Sequence, residues 1–274
     1  MTAPATSRAA VAPASTIRAS RAGFARDVVS VAGRAIRALP REPEAIIPAL
    51  MVPLFFFVVN IGSLQELGER AIPGLDVKAF QLPVAIVFAV TGISRAAALV
   101  TDIQDGYFDR LLLTPISRPA LLLGLMVADF TLVCALSIPV LALGLLVGVS
   151  FGTGIIGMVV FVLLAGSWGL AFTGFPYAIA LKTGNPAAVN SSFILFFPFA
   201  FLTTAFLPRE ALTSWLDTVA GYNPVTYLLD GLRSLLSEGW DGEALLKAVG
   251  AVLGVATISM TLCFRALKGR VARG

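Results

Sequence analysis

Long apolar runs recur along this chain of 274 residues, and they constrain its fold more than any other feature. A helix needs about 20 mostly apolar residues to cross the hydrocarbon core of a bilayer. Only 13% of the residues are charged, and the runs lack the strict alternation of membrane β-strands. The pattern predicts an all-α integral membrane protein with six transmembrane helices. The predicted spans cover residues 45–64, 80–100, 120–149, 155–181, 188–207 and 244–264.

The basic residues predict how such a protein is oriented. In membrane proteins, lysine and arginine accumulate in the short cytoplasmic segments. Most of the 20 lysines and arginines lie before span 1, near the loop between spans 2 and 3, or after span 6. These segments share one side of the membrane if six spans are present. Both termini are therefore expected in the cytoplasm.

The segment before the first span divides into two parts. Residues 1–16 are rich in Ala, Pro, Ser and Thr and predict a disordered tail, whereas residues 17–274 form one transmembrane domain. Residues 17–39 place Phe24, Val28 and Val31 on one helical face and arginines opposite. This pattern predicts an interfacial helix with its apolar face in lipid and its arginines on anionic headgroups. An organelle transit peptide is the alternative, disfavoured because the segment runs directly into the first span.

A charged and aromatic segment separates spans 2 and 3. On a helix over residues 102–113, apolar side chains share one face and three aspartates share another. Asp102 is placed to cap the first turn, and Thr114-Pro115 would end the helix. The pattern predicts a short helix parallel to the membrane that either contacts a partner or only closes the loop. The candidate contact residues are Asp102, Asp105, Tyr107, Phe108, Asp109, Arg110, Leu111 and Leu112.

Two charged residues fall within predicted spans. Arg95 lies near the cytoplasmic end of span 2, where its side chain can extend to the membrane surface. Asp129 lies about 15 Å along span 3, where an unpaired carboxylate in lipid is costly. We hypothesise that Arg95 supplies the cation for Asp129 across the helix pair. Such a pair could be structural or could serve transport.

The residue types present disfavour catalysis by this chain. It has no histidine, so imidazole bases and imidazole metal ligands are excluded. Cys134 and Cys263 lie in predicted spans without clustered partners, which is typical of small buried hydrophobic residues. An intramembrane enzyme would need a positioned nucleophile and base. An ion-coupled secondary transporter, the other alternative, typically shows an internal repeat and several membrane carboxylates.

Two stretches of the sequence resemble a known family. Residues 105–129, "DGYFDRLLLTPISRPALLLGLMVAD", are similar to the signature of type-2 ABC export permeases, closest to the daunorubicin-resistance permease group. Residues 206–236, "FLPREALTSWLDTVAGYNPVTYLLDGLRSLL", resemble a second element of that family. Many relatives have an arginine four residues before the aspartate, whereas this chain has Leu125 there, before Asp129.

The resemblance implies a role for the segment between spans 2 and 3. It would be a coupling helix, seated on a separate ATP-binding subunit, with its apolar residues either in that subunit's groove or against their own spans. The chain itself has no GxxxxGK[ST] motif, so ATP and Mg would be bound by the partner. A second permease subunit would complete the pore, and no nucleic acid partner is expected.

The resemblance also implies the transported cargo and the outward side. The protein would export an apolar or amphipathic molecule (a drug, lipid or secondary metabolite) from a bacterial cell through its plasma membrane. Export of a polysaccharide or cell-envelope precursor is the alternative within the family. Residues 208–240 would form two half-inserted helices over the outer mouth, broken at Asn223-Pro224, or else a solvent-exposed hairpin. The candidate residues of this outward motif are Pro208, Trp215, Asn223, Pro224 and Tyr227.

Overall fold

The computed structural model describes residues 23–41, 43–112 and 116–272, and within these ranges the regular structure is helical. Residues 1–22, which hold the predicted tail and the start of the interfacial helix, lie outside the described part. Five helical segments are long and apolar enough to cross a membrane. They are Ile46–Glu66, Val77–Gln104, Pro119–Leu146, Gly154–Thr183 and Gly242–Val271.

Helix α1 (Phe24–Ala38) packs against the long helix α6 (Arg118–Leu146). The contact is close because Gly124 of α6 has no side chain, and a Cβ atom there would lie 2.6 Å from Val31 Cβ. Val31 is therefore buried against protein, although the sequence pattern placed it on a lipid-facing side, while Phe24 stays half exposed. Asp27, on the same face as Val31, is also buried.

The second predicted span is two helices. Helix α3 (Val77–Thr91) follows the long helix α2 (Pro43–Ala71) and starts at Asp76, whose carboxylate accepts hydrogen bonds from the Lys78 and Ala79 amides. It ends at Gly92, and helix α4 (Ala96–Gln104) begins after Arg95. Both helices lie in one continuous apolar segment, so the interruption falls between two halves of a single candidate span.

The fifth predicted span differs most from the expected continuous helix. After helix α7 (Gly154–Thr183), the apolar segment forms α8 (Pro186–Ser191), a 3-10 turn and α9 (Phe196–Phe201). Residues 202–207 are bends rather than helix. The helical segment Pro186–Phe201 is thus shorter than the predicted span at its C-terminal end. Hydropathy reports an apolar environment but not an unbroken helix, which explains the difference.

The last part of the chain has two short helices and one long one. Helices α10 (Ser214–Tyr222) and α11 (Pro224–Arg233) lead into a π-helical turn, and α12 (Gly242–Val271) follows. Helix α12 runs along α7 and approaches it closely at Gly174, where an added Cβ would lie 2.7 Å from Ser259 carbonyl carbon. The Ser259 hydroxyl donates to the Ala171 carbonyl at 2.5 Å, which links the two helices.

The buried residues form two apolar clusters, and the interruption after α3 separates them. The first cluster includes most of α3 and α11 and the middle of α6 and α7. The second includes residues of α1, α4, the short helix α5 (Tyr107–Leu112) and the ends of α6, α7 and α12. The chain therefore has a second core beneath its surface helices, separate from the core around α3. This second core supports the candidate functional site.

Gly124→Ala should test the packing of α1 on α6. The added methyl group would overlap Val31, so we expect a loss of about 1–3 kcal/mol in stability from overpacking. Thermal unfolding of the purified protein measures this loss. Gly254→Ala on α12 is the control, because no atom lies within 4 Å of its added Cβ. Equal melting temperatures for the two variants would contradict the close contact.

Candidate coupling surface and its supports

The predicted surface helix over 102–113 is divided by a turn. Helix α4 continues to Gln104 and includes Asp102, so this residue belongs to the end of the second span. Gly106 follows in the left-handed region with φ of 70°, a conformation that glycine adopts without strain. A separate short helix, α5 (Tyr107–Leu112), then begins. This turn sets the direction of α5 relative to α4.

Phe108 and Leu111 of α5 face the protein. Phe108 is only 2% exposed and belongs to the second core, next to residues of α1, α4 and α6. Leu111 packs against the same core. Of the two possibilities raised by the sequence, the structure therefore places Phe108 against the chain's own helices. An apolar anchor of this kind fixes α5 to the bundle.

Arg34 of α1 contacts the residues on both sides of the turn between α4 and α5. Its Nη2 atom lies 3.4 Å from Asp102 Oδ2, and its guanidinium carbon lies 4.8 Å from the centroid of the Tyr107 ring. One arginine thus joins the end of α4 and the start of α5 to the interfacial helix through an ion pair and a cation–π contact. The pattern of residues 17–39 predicted lipid headgroups as the contacts of the arginines there, Arg34 included. No local spacing indicates its pairing with Asp102, because the two residues are 68 positions apart.

Two further bonds hold the flanks of α5. Asp27 of α1 accepts a hydrogen bond at 3.3 Å from the backbone N–H of Ser117, the residue before α6. Its carboxylate therefore accepts from the amide of the N-cap residue of α6, as the acidic residue of a capping box does. The Gln104 side-chain amide donates to the Gly184 carbonyl at the end of α7, at 3.0 Å. Helices α1 and α7 thereby hold both ends of the segment.

Two charged side chains of this segment, Asp105 and Arg110, point outward. Both are exposed, and Tyr107 is half exposed beneath Arg34. Phe108 and Leu111 are directed toward the core, so the accessible face carries charges of both signs. Such a face suits a partner with complementary charges better than an apolar groove. The side chains of Asp109 and Leu112 lie outside the described part.

The structure brings Asp129 and Arg95 together through the main chain. The backbone N–H of Arg95 donates to Asp129 Oδ1 at 2.9 Å, and the Ser94 hydroxyl lies 3.4 Å from Oδ2. Asp129 is fully buried on α6 and meets the N-terminus of α4, where the helix dipole favours a negative charge. The interruption after α3 is thus closed by a carboxylate from a neighbouring helix. The sequence hypothesis paired these residues through the guanidinium.

The outward motif is organised by Asn223. Its side-chain amide donates to the carbonyls of Phe199 and Leu202, both at 2.8 Å, where α9 ends. Its Oδ1 atom accepts from the Val225 amide and caps α11, in which Pro224 takes the first position. One side chain therefore satisfies two helix ends at once.

The other motif residues contribute less to packing. The Tyr227 hydroxyl donates to the Gly221 carbonyl at 2.5 Å, which fixes α11 to the end of α10. Trp215 is 62% exposed, and Pro208 precedes a 3-10 turn. Arg209 in that turn pairs with Asp217 at 2.5 Å, and this hydrogen bond raises the pKa of Arg209 above its usual value.

Arg233, which is not among the residues predicted from the sequence, binds the bent segment after α9. Its guanidinium donates to the Thr204 hydroxyl and carbonyl, at 3.0 and 2.7 Å, and to the Phe80 carbonyl at 3.3 Å. The guanidinium carbon also lies 3.5 Å from the centroid of the Phe80 ring. Arg233 therefore supplies a donor to the Thr204 carbonyl, which lies in the bent segment outside any helix, and joins this segment to α3 at Phe80.

Comparison with known proteins places the chain in a family. The family described as ABC-2 type transporter matches residues 27–236. The matched part includes α4, α5 and the motif residues from Pro208 to Tyr227. The chain belongs to the ABC-2 type transporter family. It is a multi-pass membrane protein and a transmembrane subunit of an ABC transporter.

Several relatives share most of the length of this ABC-2 chain. The daunorubicin resistance ABC transporter permease protein DrrB1 of Streptomyces coeruleorubidus is 29% identical over 84% of this chain and 83% of its own. The probable doxorubicin resistance ABC transporter permease protein DrrC of Mycobacterium tuberculosis is 22% identical, over 73% and 72%. A putative transport permease of Cyanophora paradoxa, ycf38, is 25% identical over 78% and 76%.

Arg34→Gln should loosen α5 in this ABC-2 chain. Loss of the ion pair and the cation–π contact should speed amide hydrogen exchange in residues 107–112 by about twofold to tenfold. Hydrogen-exchange mass spectrometry measures the change. Arg37→Gln is the control, since the Arg37 side chain bonds to the Gly33 carbonyl of its own helix. Equal exchange in both variants would show that Arg34 does not hold α5.

Asp129→Ala should destabilise the interruption between α3 and α4. The Arg95 amide would lose its acceptor, at a cost of about 1–3 kcal/mol for a buried group. Asp129→Asn keeps an acceptor oxygen and should recover most of the loss in thermal unfolding. Ser137→Ala is the control on the same helix, because Ser137 bonds only to its own helix at Val133. If the Asn and Ala variants are equally unstable, the charge and not the hydrogen bond matters.

Proposed function

We propose that this chain is the transmembrane permease subunit of an ATP-driven exporter. The observation that carries the proposal is α5, a short helix anchored by Phe108 to the second core and clamped by Arg34. The exposed Arg110 of α5 and the exposed Asp105 of the preceding turn form the face that a partner can reach. A helix that is rigidly held yet charged on its outer side is suited to transmit force from another protein.

The proposed partner is a separate ATP-binding subunit. This chain has no Walker A motif, so ATP and Mg bind in the partner and hydrolysis takes place there. Closure of the partner around ATP pushes α5. The push passes to α4 through the turn at Gly106 and to α1 through Arg34. Among the described residues, no cluster of acidic and cysteine side chains could hold a metal ion.

The interruption at Gly92–Arg95 is the point where this movement reaches the membrane. Helix α4 belongs to the second core and α3 to the first, so a shift of α4 changes the packing between the two. Interrupted helices are common places for such angular changes, because few dihedral angles must move. Alternation between inward-open and outward-open states follows when the partner binds one state more tightly than the other.

The proposed topology has six spans in a bacterial plasma membrane. The segment Pro186–Phe201 is the short fifth span, completed by the bent residues that Arg233 and Asn223 hold. Both termini and α5 lie in the cytoplasm, on the side with most of the arginines. Helices α10 and α11 are half inserted at the outer side. A second permease subunit completes the pathway.

The proposed substrate is an apolar or amphipathic molecule such as a drug. Two relatives carry names that refer to daunorubicin and doxorubicin resistance. The interior also favours an apolar cargo, since phenylalanine rings from different helices form a connected cluster. Phe88 lies 5.7 Å from Phe56 and 5.6 Å from Phe196, and Phe172 lies 5.5 Å from Phe196, measured between ring centroids.

Reversal of the exposed charges on α5 tests the proposal. Asp105→Arg with Arg110→Glu should weaken binding of the ATP-binding subunit by about tenfold, because each reversed charge then faces a like charge on that subunit. Co-purification and ATPase stimulation by the permease in proteoliposomes measure the loss. Glu210→Lys, an exposed charge in the outward segment, is the matched control and should bind normally. Unchanged binding and ATPase stimulation for the α5 variant would contradict the assignment.

A further inference from the structure

A cleft with a volume of about 460 Å³ lies between α1, α4 and the start of α8. It opens at the end of the bundle that carries α5, as the half-exposed side chains of Arg34 and Asp102 at its rim show. Arg95, at the start of α4, lines its deeper end and is only 8% exposed. Arg95 and Asp102 are seven residues apart on this helical segment, so the lining extends about 10 Å along it.

The lining of the cleft carries two guanidinium groups and one carboxylate. Arg34 and Arg95 contribute the guanidinium groups and Asp102 the carboxylate, while the Asp129 carboxylate lies behind Arg95, 2.9 Å from its backbone nitrogen. The ion pair with Asp102 uses the Nη2 atom of Arg34, and a guanidinium group carries five N–H donors in a planar fork. Planar forks of this kind bind phosphate and carboxylate oxygens strongly. The cleft therefore favours an anionic ligand.

The remaining walls are small and apolar. Ala35 and Ala38 of α1 face Ala97 and Ala98 of α4 across the cleft, and Leu125 of α6 also lines it. Side chains that end at Cβ leave the space open between the two arginines. A free inorganic anion would gain nothing from these walls, whereas the glycerol and upper acyl chain of a lipid would bury apolar surface there.

We propose that this cleft binds the phosphate headgroup of an anionic phospholipid. Basic pockets between transmembrane helices at the cytoplasmic surface suit such headgroups, and the volume is within the range of small-molecule sites. The phosphate lies between Arg34 and Arg95, and the glycerol rests on the alanines. Only the assignment to the inner leaflet depends on the topology proposed above.

The bound lipid would act on the same elements that hold the coupling surface. Arg34 already joins α1 to Asp102 and Tyr107, and Arg95 lies at the interruption that Asp129 closes. A phosphate between the two arginines therefore connects the clamp on α5 with the interruption between α3 and α4. The lipid is thus a structural ligand of this region.

Lipid retention in the purified permease tests the proposal without any ATP-binding subunit. The protein is incubated with phosphatidylglycerol or phosphatidylcholine, and bound lipid is counted by native mass spectrometry. Arg34→Gln and Arg95→Gln should each lower phosphatidylglycerol retention by about fivefold, since each removes one basic contact. Arg95→Lys keeps the charge and should retain most of the lipid, which separates loss of charge from misfolding.

Two control variants distinguish lipid binding in the cleft from general electrostatic attraction and from the effect of the ion pair between Arg34 and Asp102. Arg37→Gln removes a charge from α1 outside the cleft and should leave retention unchanged. Asp102→Asn breaks the ion pair with Arg34 but leaves both arginines, so retention should stay equal or rise. Equal retention of both lipids, an equal loss in Arg37→Gln, or displacement of the lipid by millimolar inorganic phosphate would overturn the proposal.

Discussion

A helix that is interrupted in an apolar layer must find partners for its exposed backbone groups, and this constraint shapes the whole chain. At two interruptions, three polar side chains from other parts of the chain supply these partners. Asp129 accepts from the amide at the start of α4, Asn223 donates to the carbonyls at the end of α9, and Arg233 donates to the bent segment that follows. These side chains are buried or nearly so, and each joins two elements that would otherwise be independent.

The interruption closed by Asp129 has the most direct bearing on function. It divides the second span so that α3 stays in the first core, while α4 belongs to the second core with α1 and α5. The surface helix is therefore part of a small packed unit rather than a loose loop. Phe108 supplies the apolar anchor of this unit and Arg34 its polar clamp. In the proposed mechanism, force applied to α5 passes to the spans through these packed side chains.

The sequence predicted the helical class and most span positions because hydropathy over about 20 residues measures the physical property that places a helix in lipid. Hydropathy does not distinguish a side chain that faces lipid from one that is buried against protein, because both environments are apolar. The face of α1 that contains Val31 packs on Gly124 instead of lipid, and Phe108 is buried in its own bundle. Long-range partners such as Arg34 with Asp102 leave no local pattern. Gly92 and Gly106 lie at the two breaks around α4, and these glycines were the local sequence features that could have predicted the breaks.

The central claim, that α5 is a cytoplasmic helix docked by an ATP-binding subunit, can be tested by thiol labelling of Arg110→Cys. The substitution is made with Cys134 and Cys263 replaced by serine, and a membrane-impermeant maleimide is applied to oriented vesicles. The account predicts labelling in inside-out vesicles, none in right-side-out vesicles, and strong protection when the ATP-binding subunit is bound. Labelling from the outside, or labelling that the subunit leaves unchanged, would contradict it.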